Sequence, residues 1–544
     1  MSRSWLSLAV SLSITTFLPV GVGLADPPPS ASITGGQVHG SVLEVGGAVF
    51  KGIPYAQPPV GNLRWRPPVA VERWAGARDA SAFGAPCAQN AGGHMLDKSS
   101  EDCLFLNVWA PDWPPKFRKP VMFWIHGGGN YGGTASNPNF DGEALSRRGV
   151  IVVTANYRLT IFGFFAHPEL THESPHHASG NYGLLDQIAA LRWVRDNIAK
   201  FGGDPSNVTV FGQSAGAVDA NVLMTSPLAK GLFERVIAES GTVTRNPDAA
   251  TLKMTALGTL MNVKEGAVTY SDASLLAEAE ERGAELASKL KASAEGGLKY
   301  LRELPAAQLL QAVAAPQMSI GPANGVVVDG WVFPKPPAEV FATGQEFRMP
   351  LLLGNNARER TPPDTTSAAL AHAAESMYGG LAGRAAELYH LSSNEPQPPD
   401  PLYGGQATQW VVDTMYRCPV VAQLVWHADA GNAAFEYQFD RAAPGRENLG
   451  AVHGTEVPYV FGMLTSSVYS SADRQISAAI QQYWTNFAKT GDPNGQTLPD
   501  WPKFDTASRG YLEFTDAGPV AGEGLRRPYC DLYLENVKRL TAHR

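Results

Sequence analysis

"VTVFGQSAGA", Val208 to Ala217, is the stretch on which the reading of this chain turns. An apolar run reaches Phe211 and then breaks into Gly212-Gln213-Ser214-Ala215-Gly216. A strand that runs into G-x-S-x-G and then into small residues fits a sharp strand-to-helix turn with a serine at its tip. The plain alternative is a glycine-rich turn that happens to hold a serine. The pattern is weak by itself, because chance matches are common in a chain with 55 Gly, so the surrounding sequence must choose.

Outward from this stretch, strands and helices alternate. "VMFWIHGGGN" (121–130) is an apolar strand that ends in glycines, and "VIVVTANYR" (150–158) is another. "YGLLDQIAALRWVRDNIAKFGG" (182–203) carries Leu184, Ile188, Leu191, Val194 and Ile198 at helical spacing, with Gly202-Gly203 as the stop. Val208–Phe211 is the next strand, and "AGAVDANVLM" after it reads as a helix. "VIAES" (236–240), "PLLLGN" (350–355) and "FEYQF" (435–439) are further strands. Gly40–Gly52 reads as a hairpin around Gly46-Gly47. Continuous apolar strands alternating with helices predict an α/β fold, with a large, mainly parallel sheet covered on both faces. Residues 271–317 read as helical and 360–430 as helical or irregular; both are expected as insertions above the sheet rather than members of it. No internal repeat or clean linker divides the chain, which reads as one catalytic domain over 26–544.

The bulk numbers bound the function. The chain has 544 residues, 44% hydrophobic and 17% charged, which is globular and long enough for a large core. A formal net charge of -8 and the lack of a long basic block argue against nucleic acid as a partner. Arg3, the apolar run Trp5–Val22 and the small residues Gly23-Leu24-Ala25 read as a signal peptide over residues 1–25, cleaved after Ala25. A membrane anchor is the rival, disfavoured by Pro19 and the scattered Ser and Thr. No later apolar run reaches the roughly 18 residues a spanning helix needs. The expected product is secreted or periplasmic, without stable membrane insertion. Residues 26–32 form a leader. Cys87, Cys103, Cys418 and Cys530 suggest two disulfides, with three pairings open. No Cys/His cluster suggests zinc.

If Ser214 is a nucleophile, three other parts must be present: a base, an acid that orients it, and N–H donors for an oxyanion. Gly127-Gly128-Gly129, after the strand ending at Ile125, would supply donors together with the N–H of Ala215. The order Ser, acid, His expected on such a sheet leaves His372, His390, His427, His453 and His543. His372, His390 and His427 read as helix surface, and His543 lies at the C-terminus. His453, in the glycine-bracketed "GAVHGTEVPYVFG", is the best candidate. For the acid, Glu359 lies just past the strand 350–355, with Asp329 and Asp364 as rivals. Asp329 sits in a turn, where Asp is common for local reasons.

These residues resemble the type-B carboxylesterases, the esterase/lipase family of α/β-hydrolases that includes the cholinesterases. The resemblance is carried by "FKGIPYAQPPVGNLRWRPP" (50–68), "SEDCLFLNVWAP" (100–111), "WIHGGG" (124–129), "NYRLTIFGFF" (156–165), "GNYGLLDQIAALRWVRDNIAKFGGDPSNVTVFGQSAG" (180–216), "HGTEVPYVFG" (453–462) and "YWTNFAKTGDPN" (483–494). Residues 245–325 and 360–430 resemble the family only weakly. The resemblance implies an α/β-hydrolase fold with helical insertions over the site. It implies Ser214 as nucleophile, Glu359 as acid, His453 as base, and Gly128, Gly129 and Ala215 as oxyanion donors. It pairs Cys87 with Cys103 and Cys418 with Cys530, needs no cofactor, and implies a small-molecule ester as substrate.

The chain departs from the family at three places. Gln213 precedes the nucleophile, where Glu is usual. Arg360 follows Glu359, where Gly is usual. The loop from Cys87 to Cys103 lacks the tryptophan with which cholinesterases hold a quaternary ammonium. A choline ester is therefore not the expected substrate. Ser319–Val328, which borders the acyl pocket in the family, holds no aromatic residue, so a roomy or reshaped acyl site is expected. A non-catalytic binding or adhesion relative would lose a part of this set, and none is missing; lipase and thioesterase chemistry would use the same residues.

Overall fold

The computed structural model describes residue 1 and residues 27–91, 94–244, 273–292, 296–313, 325–362, 365–391, 397–464 and 466–542. The signal peptide, most of the stretch Ser319–Val328, Asp364 and His543 lie outside the described residues.

Eleven strands form the central sheet. In chain order they are β1 (Ser41–Val42), β2 (Ala48–Pro54), β3 (Phe105–Ala110), β4 (Lys119–Ile125), β5 (Ile151–Ala155) and β6 (Gly203–Gln213). Then come β7 (Arg235–Glu239), β8 (Leu351–Asn356), β9 (Ala434–Phe439), β10 (Gly510–Thr515) and β11 (Gly518–Glu523). Across the sheet the order is β11-β10-β9-β8-β7-β6-β4-β5-β3-β2-β1. From β5 to β10 every neighbouring pair is parallel. Both edges are antiparallel: β10 with β11, and β5 through β3 and β2 to β1. The mainly parallel α/β-hydrolase sheet expected from the sequence is the observed one, with the hairpin at Gly46-Gly47 on its edge.

The strands read as unbroken apolar runs because both of their faces are buried. Val121, Phe123 and Ile125 of β4 enter one core, and Met122 and Trp124 enter the other. Val208 and Val210 of β6 face the first core and Phe211 the second. Leu351 and Leu353 of β8 divide from Leu352 in the same way. This is the two-residue period of a strand between two layers.

Helix α1 (Tyr182–Asn197) buries Leu184, Ile188, Leu191 and Val194. It ends in a short 3-10 turn, Ile198–Phe201, and Gly202 then turns left-handed at φ 85°. Helix α2 (Ala215–Leu223) follows β6 directly and is wholly buried, which its small and apolar residues permit. Helices α3 (Cys418–Asp429), α4 (Ser471–Thr490) and α5 (Arg527–Ala542) complete the cover. The insertions are helical as expected: Leu276–Lys289, Gly297–Glu303 and Ala306–Val313 in the first, Ser367–Tyr378 and Ala382–Leu388 in the second. Among the described residues neither adds a strand to the main sheet, although Ser274–Leu275 pairs with Val327–Val328 in a separate ribbon. The disulfides Cys87–Cys103 and Cys418–Cys530 are both formed.

Candidate active site

Ser214 stands between the end of β6 and the first turn of α2. Its backbone is held at φ 57° and ψ -123°, a conformation that L-residues seldom adopt. Its N–H donates to Glu239 O at 2.8 Å, and its carbonyl accepts from Ala217 and Val218 at 3.0 Å each. The flanking glycines allow this turn by letting backbone approach backbone. A Cβ on Gly216 would lie 2.0 Å from Ile125 O, and one on Gly212 would lie 2.5 Å from Gly216 O. Strand-to-helix passage without an intervening loop thus exposes the serine side chain at the tip of the sheet. Ala215 is the first residue of α2, where N–H groups have no intrahelical acceptor.

The glycine loop after β4 packs against this turn. A Cβ on Gly127 would meet Gln213 O at 2.7 Å and Ser214 Cβ at 3.1 Å. Gly128 and Gly129 both have positive φ, 114° and 67°. Tyr131 N and Gly132 N donate to Gly128 O at 3.0 and 3.1 Å, closing the loop into a tight turn. Asn130 anchors it from below. Its amide donates to Asp219 on α2 at 3.2 Å, and its Oδ1 accepts from the Tyr157 hydroxyl at 2.9 Å. Burial pushes the Asp219 carboxyl up to about 7, against the donors Gln187 and Asn130. His126, at the strand end, stacks on Tyr157 with ring centroids 4.5 Å apart, and burial pushes it down to about 4.

Glu359 and His453 reach the same place from β8 and β9. The segments following these two strands are laced together: Ala357 N donates to Phe439 O at 2.8 Å, Arg358 N to Ala451 O at 3.0 Å, and His453 N to Glu359 O at 2.8 Å. The side chains then face each other, with His453 Nδ1 2.6 Å from Glu359 Oε2. The other ring nitrogen, Nε2, lies 2.8 Å from Ser214 Oγ. Asn356 N donates to Glu359 Oε1 at 2.8 Å, so both oxygens of this buried carboxylate are engaged. Gln213 also reaches the ring, its Nε2 3.2 Å from His453 Nε2. With the ring proton on Nδ1, the Ser214 hydroxyl and the Gln213 amide share one acceptor.

Two further carboxyls lie beneath. Burial pushes Glu239 up to about 8, although its Oε1 accepts from Trp484 Nε1 at 2.8 Å. Burial, and then the charges of Glu359 and Glu239, raise Glu456 well above the usual range, while Asn356 Nδ2 donates to it. Glu456 had no signal in the sequence. Three positions after a loop histidine, it reads as an ordinary surface residue.

The rival candidates lie elsewhere. Asp329 is used locally: its Oδ1 accepts from the N–H groups of Trp331, Val332 and Phe333 at 2.8 to 3.0 Å, and its Oδ2 from Asn181. His372 and His390 are exposed, His390 in a turn at φ 55°. The reading of His427 as helix surface is wrong. It is fully buried on α3, with Nδ1 2.9 Å from Glu346 Oε1 and Nε2 2.9 Å from Met349 O. The period of α3 is obscured because nearly every side of that helix is covered. Among the described residues, no group of three or more His, Cys, Asp or Glu is placed to hold a metal ion. None of their helices is long and apolar enough to cross a membrane.

A family model described as "Carboxylesterase family" matches residues 27–533. A fumonisin B1 esterase of Sphingopyxis macrogoltabida is 34% identical over 529 residues, covering 94% of this chain and 90% of that protein. Liver carboxylesterase 1 of Oryctolagus cuniculus is 33% identical over 541 residues, covering 90% of each. A solved PNB esterase structure aligns with a TM-score of 0.74 at 32% identity, over 92% of this chain and 99% of that one.

Proposed function

The chain belongs to the carboxylesterase family and is a carboxylic ester hydrolase, and from that premise we propose that it works through an acyl-enzyme on Ser214. In this reading Ser214 Oγ attacks the ester carbonyl while His453 Nε2 takes its proton. Glu359 holds the ring with Nε2 toward the serine and stabilises the imidazolium. The N–H groups of Gly128, Gly129 and Ala215 receive the oxyanion. As the tetrahedral intermediate collapses, the alkoxy group leaves with the proton from His453. Water, deprotonated by the same ring, then attacks the acyl-enzyme, and its collapse returns the proton to Ser214 and frees the acid.

One observation carries this reading: the unbroken path Ser214 Oγ, His453 Nε2, His453 Nδ1, Glu359 Oε2, with steps of 2.8 and 2.6 Å. We further propose that residues 1–25 are a signal peptide cleaved after Ala25, and that 26–544 act as one catalytic domain outside the cytoplasm. Two disulfides suit such an oxidising compartment. The partner is a small-molecule ester.

The test is Ser214→Ala assayed on dispersed short p-nitrophenyl esters, with circular dichroism to follow the fold. The expected loss in kcat is on the order of 10⁶-fold, because such a set of residues acts as a unit. Full activity in a folded variant would overturn the assignment.

A further inference from the structure

Arg360, next to Glu359, is half-buried, and its Nε donates to the Tyr416 hydroxyl at 3.3 Å. The Tyr416 ring packs on the His453 ring, with centroids 5.5 Å apart and planes tilted by 54°. The guanidinium is therefore one aromatic ring away from the histidine that touches Ser214.

Its neighbours use their charge differently. Arg358 spends its N–H groups on the carbonyls of Leu402, Pro401 and Asn448. Arg417 and Arg526 both pair with Asp413. Among the described residues, Arg360 has no carboxylate at ion-pair distance. Burial works against its charge, but Tyr416 and Glu359 together hold it above its ordinary value, so it stays a cation. Both oxygens of Glu359 are already taken by His453 and Asn356. Among the described residues Tyr416 is the one group that accepts from it, so the rest of its planar fork is left for an anionic ligand group. Gln213, 3.2 Å from Nε2 of the same His453 ring, is neutral, where an acid would repel such a ligand. The chain as a whole is acidic, net -8, so any attraction for anions must be local.

We propose that Arg360 is a specificity-determining residue that selects esters carrying a carboxylate near the scissile bond, a reading that rests on Ser214 as the nucleophile. A carboxylate on the acyl or on the alcohol part would meet the planar guanidinium fork.

The test compares matched esters in two arms. The acyl arm sets the 4-nitrophenyl half-ester of adipic acid against 4-nitrophenyl hexanoate. The alcohol arm sets the acetate of 3-hydroxybenzoic acid against the acetate of 3-hydroxybenzamide. The quantity read is the ratio of kcat/KM, charged over neutral. In Arg360→Gln this ratio should fall about tenfold in at least one arm, the size of one charged hydrogen bond. Arg360→Lys should keep part of it, and added salt should shrink it in the wild type. The arm that responds identifies the part of the ester that carries the charge. An unchanged ratio in both arms overturns the proposal, because a merely structural role would lower both members alike. The neutral esters separate the two readings. Wild-type turnover that needs Ser214 but shows no Arg360-dependent ratio sinks only this inference, whereas activity surviving Ser214→Ala sinks the reading beneath it.

Discussion

At Ser214 a strained backbone is held in place by glycines on every side. A non-glycine residue at φ 57° and ψ -123° costs on the order of 1–3 kcal/mol, and it persists only where its surroundings over-determine it. Gly212, Gly216 and Gly241 provide that constraint, since a Cβ on any of them would strike backbone within about 2.5 Å. Gly128 gives the sharpest test of the oxyanion role. At φ 114°, its added Cβ would lie 2.0 Å from Gly132 O, so Gly128→Ala must move the loop. The expected outcome is a kcat lowered about 10²- to 10³-fold, as for loss of one oxyanion donor. Steady-state kinetics on a short ester would check it, and wild-type kcat would count against the role. Gln213 was legible as a departure from the family pattern, but its contact with His453 was not. That contact spans 240 positions of sequence.

At the scale of the elements, the apolar runs correctly marked β4 to β9, but they hid carboxyls among their residues. Glu436 of β9 is buried, both of its oxygens lack a hydrogen-bond partner among the described residues, and burial pushes it up to about 8 despite Arg509 and Arg417. The sign of its effect on stability follows. Between its ordinary value of 4.5 and about 8, the unfolded chain releases this proton while the folded chain keeps it. Stability is therefore lost as pH rises through that window. Glu436→Gln keeps the shape without the proton, so its melting temperature should gain on the wild type at pH 8 and not at pH 5. Thermal unfolding at both pH values checks this, and an equal shift at each would refute it. The strands β10 and β11 were missed for a different reason. They lie at or toward the sheet edges, and β10 and β11 mix Gly and Glu with half-buried positions, so no continuous run marks them.

Across the whole molecule, the disulfide Cys418–Cys530 joins α3 to α5 over a separation of 112 residues. Opening so long a loop frees much denatured-chain entropy. The double variant Cys418→Ser/Cys530→Ser should lose roughly 4–5 kcal/mol. Denaturant unfolding against the oxidised wild type measures it, and an unchanged midpoint would show that α3 and α5 hold together without the bond. Local pattern alone determined the parallel sheet, the helix that ends at Gly202 and the strand-to-helix turn at Ser214. Each of these depends on residues within one or two turns of each other, so periodicity and glycine placement suffice to show them. Only the tertiary structure decided that His427 is buried, that Glu239 and Glu456 lie beneath Glu359, and that Arg360 stands behind Tyr416 beside His453. These depend on which parallel strands become neighbours and on what each strand end then packs against. Such contacts form between residues from about 50 to about 250 positions apart, and burial and charge at those meeting points leave no periodic trace in the chain.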